Sequence, residues 1–184
     1  MNVPNTITVL RIMLVPVLAY FLLHGDYRAA IWVLLGAGLS DALDGVIARR
    51  FNLITDLGAV LDPLADKILI ISSVLALAWV RLLPRWLAIV IIARDLIIIG
   101  GVTAYYLRAR RLEMHPSIPS KLNTFVQLCM VLLILGTAAG IVKASGWLPV
   151  LFSFALFTTV FSGIHYIVVW GRKGAALKKR AASG

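Results

Sequence analysis

The residues best suited to chemistry are four aspartates within the stretch 40–67, which long apolar runs flank on both sides. Asp41 and Asp44 are three residues apart, and Asp62 and Asp66 are four residues apart. On helices these spacings place each pair on one face, about 4.5 to 6 Å apart along the axis. Ionisable groups beside or inside hydrocarbon are costly and mark functional sites. We therefore expect four carboxylates to converge between two antiparallel neighbouring helices.

Divalent cations are the natural partners of such a cluster. Unpaired carboxylates would repel one another and bear a large desolvation cost. An all-oxygen ligand set without His or Cys suits a hard ion, and Mg²⁺ prefers a few carboxylates with positions left for water or phosphate. Two ions balance four carboxylates and let an anionic diphosphate approach. We predict two divalent ions, with Mg²⁺ favoured and Mn²⁺ or Ca²⁺ left open by the ligand type.

Small and basic residues next to the aspartates leave room for a phosphate ligand. Gly45 follows Asp44, and Gly58 stands one turn before the second pair, so each offers bare backbone to a bulky group. Ala48 continues that surface one turn further along. Arg49 is close enough in sequence to clamp a phosphate.

A polar stripe lies on the first apolar run, about 7–23. Asn5, Thr8 and Arg11 recur every third residue, which gathers them along one side of a helix. Asn5 is placed to cap this helix, and the three polar groups together favour a substrate contact. The run has no basic region ahead of it and no small-residue cleavage site after it, so we expect a retained span.

The elements that position these residues follow from the apolar content of the chain. Of 184 residues, 61% are hydrophobic, and the mean hydropathy is +0.95. Runs near 20 residues cross a bilayer core of roughly 30 Å as helices. We predict an all-α polytopic integral membrane protein, a single domain over 1–184 with a basic tail at about 171–184. Its six spans are about 7–23, 29–48, 58–80, 86–107, 122–142 and 150–170.

The basic residues orient this topology. The net charge is +10, yet Lys and Arg sit in short loops and in the tail, which argues against nucleic acid as a partner. Twelve of them fall on the face with both termini and the loops 49–57 and 108–121, against four on the other. The positive-inside rule then puts both termini and the acidic motif in the cytoplasm. Pro116 and Pro119 exclude a continuous helix through the longer loop.

Two cations are candidates for binding the phosphate of a second substrate. Arg94 lies within the fourth span, and Lys121 lies at the end of the longest loop. Asp95 is expected to point about 100° away from Arg94 on a helix, so Arg94 should need another partner. His165, inside the last span, is expected to be a hydrogen-bonded packing residue and not a catalytic base.

The acidic motif resembles the signature of the CDP-alcohol phosphotransferases, DxxDGxxAR followed by GxxxDxxxD. The resemblance covers all eight signature positions: Asp41, Asp44, Gly45, Ala48, Arg49, Gly58, Asp62 and Asp66. It implies transfer of a substituted phosphate from a CDP-linked donor to an alcohol, release of CMP, two metal ions and a homodimer. The four aspartates would then bind metal, with Asp66 also the general base. The two glycines, the alanine and the arginine would line the CDP site.

The rest of the chain is similar to one branch of this family, the eukaryotic-type cardiolipin synthases, which also occurs in bacteria. The similar segments include LeuAspProLeuAlaAspLys at 61–67, AlaArgAsp at 93–95 and SerLysLeuAsnThr at 120–124, followed by Gln127. The resemblance implies that phosphatidylglycerol attacks CDP-diacylglycerol at the cytoplasmic face of a bacterial inner membrane. Phosphatidylglycerophosphate synthases, which use glycerol 3-phosphate, are the nearest rivals. Those tend to have Arg followed by Glu where this chain has Arg94 and Asp95.

Two other classes of protein also use intramembrane carboxylates. Membrane prenyltransferases hold a diphosphate with aspartates and Mg²⁺, but they are usually longer and have two separate acidic motifs. A divalent-cation transporter lines an ion path with carboxylates. Here the acids cluster at one face and not along a crossing route, which argues against transport.

Overall fold

A computed structural model describes residues 3–51, 56–109, 118–143 and 146–181, with side chains over 11–40, 67–101, 118–143 and 146–169. Within these ranges the chain is helical and contains no strand, as predicted. The six helices are α1 (Val3–Leu23), α2 (Tyr27–Phe51), α3 (Asp56–Trp79), α4 (Arg85–Ala109), α5 (Ile118–Ala138) and α6 (Leu148–Ala181).

Several helix ends differ from the predicted spans. α1 begins at Val3, so Asn5 lies inside the helix and does not cap it. α5 begins at Ile118, with Pro119 in its first turn. A proline is tolerated there because its missing N–H would have no partner within the helix. α6 continues to Ala181, so most of the predicted basic tail is helical.

The first of two compact units comprises Met1–Arg85 and Val131–Ser145. In it α1 packs against both α2 and α3. The side chains of Leu18, Leu22 and Leu77 have no exposed surface. α1 thus contacts both helices that carry the aspartates, and these leucines belong to the buried core of the unit.

A short turn joins α1 to α2. Gly25 adopts a left-handed backbone with φ 77°, the conformation in which glycine ends helices. Asp26 then caps α2, because its Oδ1 accepts a hydrogen bond of 3.1 Å from the backbone N–H of Ala29.

The second compact unit comprises Trp86–Met130 and Gly146–Gly184, so it contains α4, the first half of α5, and α6. Arg94 of α4 hydrogen-bonds to Ser162 of α6. Four residues further along each helix, Tyr166 Oη donates to the carbonyl of Ile98 at 3.0 Å. Contacts that advance together in this way show that α4 and α6 run in the same direction.

α5 runs in the opposite direction. Arg94 bridges Ser120 of α5 to Ser162 of α6, and Thr159, earlier on α6, donates to Asn123, later on α5, at 3.1 Å. The three helices of this unit therefore alternate in direction, as successive membrane spans must.

Within the residues whose side chains are described, two helical segments are long and apolar enough to cross a membrane, Ile118–Ala138 and Leu148–Val169. Three shorter apolar segments lie elsewhere in the part of the chain with described side chains: Arg11–Leu23, Tyr27–Ser40 and Lys67–Trp79. The six predicted spans stay a prediction at this point.

Gly101 lets α4 approach α6 closely, and replacing it should destabilise the fold. A Cβ at this position would lie 2.9 Å from Tyr166 Oη and 3.0 Å from Tyr166 Cε1. The hydroxyl is held by its bond to Ile98, so the ring must give up that bond to make room. We expect Gly101→Ala to lower the free energy of unfolding by about 1–3 kcal/mol, measured as a lower midpoint of thermal unfolding in detergent.

Gly100 provides the matched control. A Cβ there meets no atom within 4 Å, so Gly100→Ala should leave the midpoint unchanged or raise it, because alanine favours helix. Equal midpoints for the two variants would contradict the packing role of Gly101.

Candidate functional site

The two acidic pairs lie on helices, as predicted. α2 carries Asp41 and Asp44, and α3 carries Asp62 and Asp66, so the spacings of three and four residues are helical spacings. Their side chains lie outside the described residues, and the predicted convergence on metal stays a prediction. Among the side chains that are described, no group of three or more His, Cys, Asp or Glu could hold an ion.

The residues predicted to bind the nucleotide lie on α1, α2 and α3. α1 carries the polar stripe, whose third member, Arg11, is only 1% exposed. A guanidinium buried this deeply requires local compensation, and α1 packs against α2 and α3. The remaining residues have side chains outside the described set; they are Asn5, Thr8, Gly45, Ala48, Arg49 and Gly58.

Arg94 is buried at the centre of a polar cluster in the second unit. It is 5% exposed and Asp95 is 0% exposed. Arg94 Nη1 donates to Asp95 Oδ1 at 2.6 Å. Arg94 Nη2 donates to Ser120 Oγ at 3.1 Å and to Ser162 Oγ. One guanidinium thus connects α4, α5 and α6.

The expectation that Asp95 would point away from Arg94 is wrong. Backbone positions of neighbouring residues are about 100° apart on a helix, but the long arginine side chain curves back to its neighbour. Burial supplies the reason, since either charge alone would be left without compensation. Arg94 does have further partners, as expected, but among the described residues they are the neutral hydroxyls of Ser120 and Ser162.

Lys121 is not part of this cluster. It lies on α5 directly after Ser120, and its side chain is exposed. The structure therefore separates the two predicted phosphate-binding cations: Arg94 is buried with partners, and Lys121 faces outward. His165 is half-buried, and its Nδ1 has no hydrogen-bond partner, so the predicted hydrogen bond is not made at that atom.

The hydroxyl partners of Arg94 were missed from the sequence, although a signal for them exists. α5 carries Ser120, Asn123 and Gln127 at spacings of three and four residues, which is one helix face. Thr159 and Ser162 form a similar stripe on α6. Polar stripes on apolar helices indicate a polar contact between helices, even where the partner helix is unknown.

The chain belongs to the CDP-alcohol phosphatidyltransferase family, whose model matches residues 1–163. Members of this family are membrane-embedded enzymes of phospholipid synthesis and generally depend on divalent metal. The acidic helices α2 and α3 and the buried Arg11 of α1 all lie within the matched region.

Among its relatives is human cardiolipin synthase (CMP-forming), 38% identical in an alignment 190 positions long that covers 94% of this chain and 62% of the human protein. A probable phosphatidylglycerophosphate synthase of Mycobacterium tuberculosis is 33% identical over 173 residues, or 90% of this chain and 80% of the relative. A CDP-diacylglycerol–glycerol-3-phosphate 3-phosphatidyltransferase of Aquifex aeolicus is 38% identical over 136 residues. That match covers 71% of this chain and 74% of the relative. The chain thus spans less than two thirds of the human relative.

The Arg94–Asp95 pair should be critical for stability. Asp95→Asn leaves a buried guanidinium without its carboxylate, which we expect to lower the free energy of unfolding by about 3–5 kcal/mol. Replacing both residues, as Arg94→Met with Asp95→Leu, should recover part of that loss because no buried charge is then left unpaired. Thermal unfolding of Arg94→Met, of Asp95→Leu and of the double variant measures the coupling between the two residues.

The control for this cycle is Asp26→Asn, in the cap of α2. Asn caps helices about as well as Asp, so this change should have little effect. A double variant less stable than Asp95→Asn alone would contradict the account of the pair.

Proposed function

We propose that this chain is a cardiolipin synthase that transfers a phosphatidyl group from CDP-diacylglycerol to phosphatidylglycerol and releases CMP. The observation that carries the proposal is the arrangement of the first unit, in which α1, with Arg11 buried, packs against the helices that bear the two aspartate pairs. The identity to human cardiolipin synthase over 94% of this chain supports the choice of acceptor.

The proposed donor site combines carboxylates with small and basic residues. The donor set fits hard divalent ions, since Asp41, Asp44, Asp62 and Asp66 offer only oxygen. Two ions, Mg²⁺ by preference, would supply charge neutralisation for the diphosphate. The residues proposed to contact CDP are Asn5, Thr8, Arg11, Gly45, Ala48, Arg49 and Gly58.

Asp66 acts as the general base in this proposal. Its carboxylate takes the proton from a free hydroxyl of the phosphatidylglycerol head group. The hydroxyl oxygen forms a bond to the phosphatidyl phosphorus, and the bond from that phosphorus to the CMP oxygen breaks. The electron pair leaves with CMP, so the reaction needs no oxidant or reductant.

Arg94 and Lys121 are proposed to bind the phosphate of the acceptor. Both Nη atoms of Arg94 already donate to protein groups, and its Nε has no hydrogen-bond partner. Arg94 would therefore contact the acceptor through Nε, or exchange a serine for a phosphate oxygen. Lys121 is exposed and would approach the acceptor phosphate from outside the cluster.

Phosphatidylglycerophosphate synthesis is the second candidate. The relatives from Mycobacterium tuberculosis and Aquifex aeolicus, whose names specify that activity, match this chain over 80% and 74% of their own lengths. The donor, the metal ions and the chemistry would be the same. Only the acceptor would change, from phosphatidylglycerol to glycerol 3-phosphate.

We further propose a single domain over 1–184 with six spans, both termini in the cytoplasm, in a bacterial inner membrane, and a homodimer. The alternating directions of α4, α5 and α6 support the spans. Exposed tryptophans lie near the start of α2, at the end of α3 and at the start of α4: Trp32 at 74%, Trp79 at 79% and Trp86 at 51%. Alternating spans bring these ends to one interface, where tryptophan is enriched.

The acceptor can be decided by product analysis. The purified protein, incubated with Mg²⁺ and CDP-diacylglycerol, should make cardiolipin and CMP when phosphatidylglycerol is supplied, and EDTA should stop the reaction. Lipid products are identified by mass spectrometry, with glycerol 3-phosphate supplied in a parallel reaction. Phosphatidylglycerophosphate without cardiolipin would identify the second candidate instead.

The role of Asp66 can be tested by an isosteric change. Asp66→Asn cannot accept the proton, so CMP release should fall by at least about 10²-fold while the unfolding midpoint is kept. Asp56→Asn, at the start of the same helix, is the matched control and should retain activity. Near-normal turnover of Asp66→Asn would remove Asp66 as the base.

A further inference from the structure

Two amide side chains are buried on α5 with unmet hydrogen-bonding groups. Asn123 and Gln127 are both 0% exposed. They lie four residues apart, on one face of the helix. Neither carries a charge, and neither has a role in the donor site proposed above.

The hydrogen bonds of these amides are incomplete. Asn123 Oδ1 accepts from Thr159 Oγ1 at 3.1 Å, but Asn123 Nδ2 has no partner. Gln127 has no partner at either Nε2 or Oε1. Buried amides in proteins almost always find partners, and each exception requires an explanation such as a water or a ligand. Three unmet atoms one turn apart indicate a polar group that enters between them.

The amides continue the cluster around Arg94. Ser120, which accepts from Arg94, lies three residues before Asn123 on α5, and Thr159 lies three residues before Ser162 on α6. Arg94 Nε also lacks a partner. The cluster extends along α5 for about 10 Å, at 1.5 Å per residue. We name it the polar column: Arg94, Ser120, Asn123, Gln127, Thr159 and Ser162.

The column has different chemistry at its two ends. At the guanidinium end, Arg94 Nε is an unmet donor on a charged group, which favours an anionic oxygen such as that of a phosphate. The amide end is neutral and offers both donors and an acceptor, which matches hydroxyl groups, since a hydroxyl donates and accepts. A ligand that fills both ends has a phosphate attached to a short chain with hydroxyls.

We propose that the polar column binds a glycerol phosphoryl group, with the phosphate at Arg94 and the glycerol hydroxyls at Asn123 and Gln127. This inference rests on the proposed function, in which the acceptor is phosphatidylglycerol. Glycerol 3-phosphate has the same chemistry, so the test has an arm for each. Asn123 and Gln127 are then specificity residues for the acceptor and have no part in binding the donor.

The test uses Gln127→Met, which keeps the length of the side chain and removes both unmet atoms. The KM for phosphatidylglycerol in mixed micelles should rise about tenfold, as expected for the loss of two neutral hydrogen bonds. The KM for CDP-diacylglycerol should not change. Thr124→Val is the matched control: it is next to Asn123, but its hydroxyl donates to the Ser120 carbonyl of its own helix at 3.1 Å. Its KM should equal that of the unaltered protein.

A structural role for the amides makes the opposite prediction. Gln127 could instead bind a buried water or leave its amide atoms without hydrogen bonds. In that case Gln127→Met and Gln127→Leu would raise the unfolding midpoint and leave the KM values for phosphatidylglycerol and CDP-diacylglycerol unchanged. That result would overturn the proposal. An equal rise of both KM values would also overturn it, because the column would not be selective for the acceptor.

Failure of the proposed function gives a different pattern. If the unaltered protein uses glycerol 3-phosphate and makes no cardiolipin, the cardiolipin assignment is wrong. The column proposal then predicts the same tenfold rise in the KM for glycerol 3-phosphate in Gln127→Met, and an unchanged value contradicts it. Binding can also be measured without turnover, in the absence of CDP-diacylglycerol. Phosphatidylglycerol, or glycerol 3-phosphate if that is the acceptor used, should raise the unfolding midpoint of the unaltered protein more than that of Gln127→Met. An equal shift in both proteins would overturn the proposal.

Discussion

Charge buried among apolar helices has to be compensated where it lies, because the surroundings contain little water to do so. In the second unit, the guanidinium of Arg94 is compensated by Asp95 and hydrogen-bonded by serines from two other helices. In the first unit, α1 buries Arg11 and packs against the helices that carry four aspartates. Under the proposed function, metal ions would balance the negative charge of those aspartates, so that an anionic diphosphate could approach without repulsion. The same constraint thus applies both to the cluster around Arg94 and to the proposed catalytic centre.

The six helices could be predicted because each apolar run is longer than a soluble core helix needs and is separated from the next by turn residues or charges. Their ends could not be predicted as well. Pro119 suggests a break in the sequence, but the first turn of a helix has no intrahelical partner for the N–H that proline lacks, so α5 includes it. The basic segment after the sixth predicted span belongs to α6, because Lys, Arg and Ala favour helix and let it continue.

In the site, features set by nearby residues could be predicted from the sequence, and contacts between distant residues could not. The spacing of the aspartates is local, and it correctly indicated helical pairs. The relation between Arg94 and Asp95 was misjudged because backbone angles were considered without the length of the arginine side chain. Ser120 and Ser162 lie 26 and 68 residues from Arg94, so no local pattern could name them as its partners. Their periodicity with other polar residues still showed which faces of α5 and α6 meet something polar.

Under the proposed six-span topology, in which α4 crosses the membrane, the position of Asp95 next to Arg94 has a consequence for how that helix inserts. Polar residues at the centre of a helix oppose its insertion, by about 2.5 to 3.5 kcal/mol for each charge on the scale that the insertion machinery applies. A counter-ion on α5 or α6 would not exist until those helices had been synthesised. Because the carboxylate is adjacent on α4 itself, that helix can neutralise its arginine while it is still alone in lipid. Ser120 and Ser162 then accept hydrogen bonds from Arg94 once α5 and α6 have been inserted. At no stage of synthesis is the arginine charge left uncompensated in hydrocarbon.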